Sequence, residues 1–192
     1  MIRATAALLA FAVATPAFAA PSKSSQKGDY VTASYFDTDG VCTGQYVTVS
    51  GFSSVSHTSS TGAPTTTNDV YVSVGNYDYC TGSFAYYSGT LSSSSMSATG
   101  STGTLSGTGE LYEYYSGTAL PVTVSATVGS EDGTYRGQSL SQSTSFGQKY
   151  MFRANGTYNY GSATIVLNGT TYTMASGGYF GRSTSATLTF IE

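Results

Sequence analysis

Tryptophan is absent from these 192 residues, histidine occurs once, and cysteine twice. Each scarcity closes off some chemistry. One imidazole, His57, cannot make up the several His or Cys ligands of a zinc centre. It is also the only base for a Ser-His-Asp relay. It stands in a Ser/Thr stretch with no apolar pattern to fix it, and is read as a solvated histidine. Charged residues are 9% of the chain, against roughly 25% in an average globular protein. Lys and Arg stand singly along it, with no basic run, which speaks against nucleic acid or anionic lipid as partners. No nucleotide loop or metal cluster is present, so no cofactor is expected. Beyond the first residues, Ser, Thr, Gly or a charge interrupts every apolar stretch. None nears the roughly 20 residues of a spanning helix.

The chain opens with Met1-Ile2-Arg3, an apolar run from Ala4 to Ala14, the break Thr15-Pro16, and Ala17-Phe18-Ala19. A positive end, a short apolar centre and small residues two apart are the parts of a secretory signal. Residues 1–19 are therefore read as a signal peptide and the protein as secreted or periplasmic. Loss of Arg3 with it leaves six basic residues against ten acidic ones, a formal charge of −4.

What remains is rich in Ser, Thr, Gly and Tyr, with 23 Gly and 17 Tyr. Abundant Tyr, Val and Thr favour pleated, half-buried surfaces over disorder. Apolar and polar residues alternate at Val31-Ala33-Tyr35, Val47-Val49, Val70-Val72-Val74, Val122-Val124-Ala126-Val128, Ala163-Ile165-Leu167 and Ala186-Leu188-Phe190. Period-two runs of this kind are strands with one buried face. Asp39-Gly40, Asp132-Gly133, Asn155-Gly156 and Asn168-Gly169 are turn dipeptides, the last a two-residue hairpin. The expected fold is all-β, an antiparallel β-sandwich with a barrel as the alternative. Residues 20–28 are read as a polar linker and 29–192 as one domain, with two halves able to meet near 116–120. Ser53 to Thr67 is read as an exposed loop. Ser92 to Gly109 stays ambiguous, since Met96, Ala98 and Leu105 could mark weak strands.

Cys42 begins one strand-like run and Cys80 ends another. Antiparallel pairing brings those two ends together, and export favours oxidation, so a structural disulfide is expected. A redox or metal role would need Cys-x-x-Cys spacing or more ligands. Among the carboxylates, Glu110 and Glu113 are three apart, which on a strand means opposite faces. Asp37-Thr38-Asp39-Gly40 has the opening of a calcium loop but lacks its later ligands, and is read as a turn. Tyr112 with Tyr114, and Tyr158 with Tyr160, each place two rings on one sheet face. Cross-strand packing explains them; a platform for sugar rings is the functional alternative.

Four stretches resemble a group of uncharacterised secreted bacterial β-rich proteins. They are Thr32-Ala33-Ser34-Tyr35-Phe36-Asp37 with Cys42, Val70-Tyr71-Val72-Ser73-Val74 running to Tyr79-Cys80-Thr81-Gly82, Leu120-Pro121-Val122-Thr123-Val124, and Arg153-Ala154-Asn155-Gly156-Thr157. Where that group often carries Trp-Thr-Gly, this chain has Ala126-Thr127-Val128-Gly129. The resemblance implies export, β-structure and paired cysteines, and no activity. The expected function is non-enzymatic, binding or structural, at the cell surface or extracellular matrix. Polysaccharide or another cell-surface protein is the expected partner. The alternatives are a carbohydrate-binding module using a Tyr-rich sheet face and a carboxylate-based extracellular hydrolase.

Overall fold

A computed structural model describes residues 22–59, 62–131, 134–145 and 148–191. The expected signal peptide, the first two residues of the expected linker and the expected Asp132-Gly133 turn lie outside them. Ten strands follow one another: β1 (Ser22–Thr38), β2 (Thr43–Thr58), β3 (Thr65–Asp78), β4 (Ser83–Thr90), β5 (Ser93–Thr99), β6 (Thr102–Glu113), β7 (Ala119–Gly129), β8 (Thr134–Ser145), β9 (Gln148–Leu167) and β10 (Thr170–Ile191). All pair antiparallel, in the order β10-β1-β2-β3-β4-β6-β7-β9-β8, with β5 on β6 and a further β9–β10 pairing.

The alternating apolar residues account for the core. Val31, Ala33, Val47, Val49, Val70 and Val72 project from one face of β1–β2–β3. They meet Leu105 and Leu111 of β6, Val122 to Val128 of β7, Ile165 of β9 and Phe180 of β10. The sheet is thus folded over so that β1, β2, β3 and β10 pack against β5, β6 and β7. Glycines let the layers approach: a Cβ on Gly103 would stand 2.4 Å from the Cβ of Phe180, and one on Gly178 would meet the side chain of Val128 at 2.5 Å. The ambiguous Ser92–Gly109 stretch is the β5–β6 hairpin, with Met96 facing Leu105 across it. Residues 116–120 include the turn between β6 and β7, which pair along their length, so strands before and after it share one sheet.

Asn168-Gly169 joins β9 to β10 as expected, with φ of 47° and 85°. That doubly left-handed pair is what a tight hairpin needs. Asn155-Gly156 is not a turn: it lies inside β9, where Gly156 faces Gly137 of β8 and Ser183 of β10. Strands on both sides satisfy its backbone, and that outweighs the local turn preference. Ser53–Thr67 is likewise not a loop throughout, being strand to Thr58 and again from Thr65. Ser22–Gly28 of the expected linker is the first part of β1. Both stretches alternate Ser, Thr, Gln and Lys without apolar contrast, so no period-two signal shows, while pairing with each other supplies the ladder.

These long ends form an arm one sheet thick, in the order β8-β9-β10-β1-β2-β3. Its register corrects the expectation of scattered charge. Arg3 lies outside the described residues, and the other six basic residues all stand on one face of the arm. Those residues are far apart in sequence, and only the antiparallel pairing aligns them.

Candidate functional site

The outward face of the sheet, opposite the core, holds two groups of aromatic rings. The first spans the end of β1–β4. Phe36, Tyr46, Tyr77, Phe84 and Tyr86 occupy adjoining outward positions there. Phe36 stacks on Tyr77 with centroids 6.5 Å apart, and Phe84 on Tyr86 at 6.2 Å. Tyr86 also meets Tyr114 at 6.2 Å, and Tyr114 meets Tyr115 edge-on at 5.1 Å. The second group is Tyr30, Tyr135, Tyr158, Tyr160 and Tyr179. Tyr135 lies parallel to Tyr158, centroids 5.5 Å apart and planes within 9°. Tyr160 meets Tyr135, Tyr158 and Tyr179 at 5.7–6.1 Å, and Tyr179 meets Tyr30 at 6.1 Å. Tyr30 and Phe36 stand six positions apart on β1, about 20 Å at strand rise. Between the groups run Thr32-Ser50 and Ser34-Thr48-Ser73-Ser88.

Glycines opposite the tyrosines shape both groups. Tyr46 lies across Gly75, Tyr77 across Gly44 and Tyr30 across Gly181, each ring occupying the space a Cβ would take. Beside the second group, Gly137, Gly156 and Ser183 form a row of outward positions almost without side chains, closed at Gly28 by the ring of Phe52. Tyr135 and Tyr158 stand along one side of that trough.

The expected pairs therefore divide. Tyr158 and Tyr160 touch, with centroids 5.8 Å apart. Tyr114 belongs to the first group through its contact with Tyr86, whereas Tyr112 stands level with Ser88 and donates its hydroxyl to Glu110 Oε2 at 2.9 Å. Tyr112 is 50%, Tyr114 71% and Tyr160 45% exposed, so these rings are not core. Their partners Tyr30, Tyr46, Tyr135 and Tyr179 escaped sequence reading. The available signal was Gly at outward positions opposite Tyr, which is visible only with the register. Burial, then neighbouring tyrosines, raises the Tyr30 hydroxyl; a hydrogen bond shared with Tyr71, then burial, raises that of Tyr86.

Cys42 and Cys80 form the expected disulfide, across a separation of 38 residues. It ties the β1–β2 turn to the end of β3. Asp39 Oδ1 accepts the N–H groups of Val41, Cys42 and Thr43 at 2.8–2.9 Å, and Oδ2 accepts the Thr43 hydroxyl at 2.9 Å. Those bonds hold its pKa far below the carboxylate range. Asp78 accepts from Thr81 and Cys80 and is lowered in the same way. Glu113 takes the N–H groups of Ser116 and Tyr115 and is lowered too. These carboxylates cap turns. Asp78 also stands near both cysteine sulfurs, but sulfurs bonded to each other offer no thiolate to a metal. His57 is an exposed residue of β2, level with Ser25 of β1, and not in a loop.

Among the described residues, no helix is long and apolar enough to cross a membrane. No family model, curated protein or solved structure matches the chain.

Proposed function

We propose that the protein is exported and works without catalysis, binding a neutral glycan chain on its outward aromatic face. The observation that carries this reading is the second Tyr group with the glycine trough beside it. Five rings in continuous contact form a wall, and Gly137, Gly156 and Ser183 leave a short floor for a sugar chain, ended at Gly28 by the ring of Phe52. Sugar rings present C–H faces that pack on aromatic rings, and the surrounding Ser and Thr match their hydroxyls. The disulfide supports an oxidising compartment, hence the periplasm or the exterior. The three carboxylates that cap turns favour binding over hydrolysis. A glycosidase needs one carboxyl kept protonated by a raised pKa, whereas Asp39, Asp78 and Glu113 are all shifted down by backbone donors.

A glycan array followed by calorimetry tests the reading. Tyr158→Ala with Tyr160→Ala is expected to weaken neutral-glycan binding roughly tenfold or more, since each aromatic contact is worth about 0.5–1.5 kcal/mol. Tyr112→Ala with Tyr114→Ala is expected to do less. An array blank for neutral glycans, or affinity unchanged by the first pair, removes the proposal.

A second reading, assembly between copies, has its own observation. β8 ends the pairing path, and its 12 residues contain neither Pro nor Lys to block edge-to-edge addition. Sedimentation of the parent and of Gln138→Pro separates this reading from a monomeric binder.

A further inference from the structure

The opposite face of the arm carries the basic residues. It continues the plane of the core side chains Val31 and Phe180 beyond the point where the second layer ends. β10 runs along its middle, with β1 on one side and β9 on the other. Arg182 starts the track on β10 itself. At Thr184 the basic residue is Lys27, on β1. At Ala186 it is Arg153, on β9. At Leu188 it is Lys23, again on β1. At Phe190 it is Lys149, again on β9. Each step is two residues, about 7 Å, and the flanking strands lie about 10 Å apart. One positive group thus falls at every step, on alternating sides of a central strand. Arg136 of β8 stands level with Arg182.

The charges are largely uncompensated. Among the described residues, the one salt bridge joins Arg182 to Asp29, and Asp29 is the one acidic residue of the arm on this face. Asp37, Asp39 and Asp78 gather at the far end of β1 and β3 instead. Between the basic residues stand neutral hydrogen-bonding groups, among them Ser25, Asn155 and Thr184.

We propose that this face binds a linear acidic polysaccharide, laid along β10 with its carboxylates or sulfates taken alternately by β1 and β9. The single-file spacing suits an extended polymer with regularly placed charge. A bilayer surface would meet a broad charged plane, whereas here the charge is one strand wide. Single-stranded nucleic acid binds through stacking platforms as well as charge, and the ring cluster of the arm, Tyr30, Tyr135, Tyr158, Tyr160 and Tyr179, lies on its other face. The track lies on the face opposite the tyrosines and rests on different residues from the neutral-glycan reading.

Binding of the purified, exported chain to immobilised polygalacturonate provides the test. Neutral dextran, phosphatidylglycerol vesicles and poly(dT) serve as the other probes. The parent is expected to bind polygalacturonate with affinity that falls as salt rises. Lys27→Gln with Arg153→Gln is expected to lower that affinity about tenfold or more and to flatten its salt dependence, as fewer counterions are released. Lys23→Gln with Lys149→Gln, lower on the track, is expected to act in the same direction. Ser125→Glu with Thr127→Glu makes the same change of net charge on the exposed face of β7, and is expected to stay within about twofold of the parent if local charge governs. Tyr158→Ala with Tyr160→Ala is expected to leave polygalacturonate binding intact, which keeps this result separate from the neutral-glycan one. Failure to bind polygalacturonate overturns the proposal. So does equal weakening by the β7 pair, or retention of affinity by both track pairs. Tighter binding to vesicles or to poly(dT) overturns the choice of partner.

Discussion

Arg182 and Asp29 are directly paired across β10 and β1, with Nε 2.6 Å from Oδ1 and Nη2 3.1 Å from Oδ2. Nη2 also donates to the Ala98 carbonyl at 3.2 Å, which anchors the guanidinium to β5. The pair is partly solvated, with side chains 45% and 21% exposed. Such a pair contributes at most about 1 kcal/mol. Its larger effect is electrostatic, since Asp29 cancels one charge of the basic track. Asp29→Asn is therefore expected to strengthen polygalacturonate binding and to steepen its salt dependence by roughly one counterion. The melting temperature should hardly move. Titration at several salt concentrations checks this, and affinity at or below the parent's would remove Arg182 from the track.

The Cys42–Cys80 bridge closes the β1–β2 turn onto the end of β3. In the chain-entropy model a loop of this size stabilises by about 3–4 kcal/mol. Replacing both cysteines by alanine is expected to cost about that much in chemical denaturation. The Tyr and basic faces should keep their binding under native conditions, because neither includes the bridge. A loss below about 1 kcal/mol would mean that β-pairing alone holds this end.

How much of this was legible in the chain depends on contrast. Val47 and Val49 between Tyr46, Thr48 and Ser50 announce a strand with one buried face, and they are fully buried. Asn168-Gly169 announces a hairpin because its two left-handed residues are a local requirement. Ser53 to Thr58 carries no such contrast. It becomes strand because β1 lies beside it, which no local pattern reveals. The same reason hid the sites. Tyr30 lies across Gly181, which is 151 residues further on, and Lys27 and Arg153 flank the same strand from opposite ends of the chain. Exposed tyrosines could be named from spacing of two. The glycines that seat them and the alternation of charge exist only in the register.

Gly103 tests the closeness of the two layers. An added Cβ would stand 2.4 Å from the Cβ of Phe180 and 2.6 Å from its Cγ, inside any real contact distance. Phe180 is buried and cannot swing out. Gly103→Ala is expected to destabilise by about 1–3 kcal/mol through overpacking. Gly129, in the neighbouring strand, would meet nothing nearer than the Ser162 hydroxyl at 3.5 Å. Gly129→Ala should be neutral or stabilise slightly, because it narrows the unfolded ensemble. Urea denaturation of the two variants checks the contrast, and equal effects would contradict the packing described.

Asp39 is expected to contribute most to the response to acid. Its carboxylate is held ionised first by the Val41 N–H, then by those of Thr43 and Cys42 and by the Thr43 hydroxyl. The unfolded chain has none of these donors, so its aspartate takes up a proton near pH 4. A folded-state pKa below the unfolded one means that the unfolded state binds the proton more readily. The contribution of Asp39 is therefore complete above about pH 4 and declines as pH falls through the folded value. Asp78 and Glu113 shift in the same direction for the same reason. Melting temperature is expected to hold from pH 7 to about pH 5 and to fall steeply below about pH 4. Asp39→Ala should lower the neutral plateau, where the four bonds are lost, and flatten the acid limb, where the parent loses them anyway. Melting curves of both proteins between pH 7 and pH 2 distinguish the sources. An acid limb as steep in the variant as in the parent would assign the proton uptake to Asp78, Glu113 or other carboxylates.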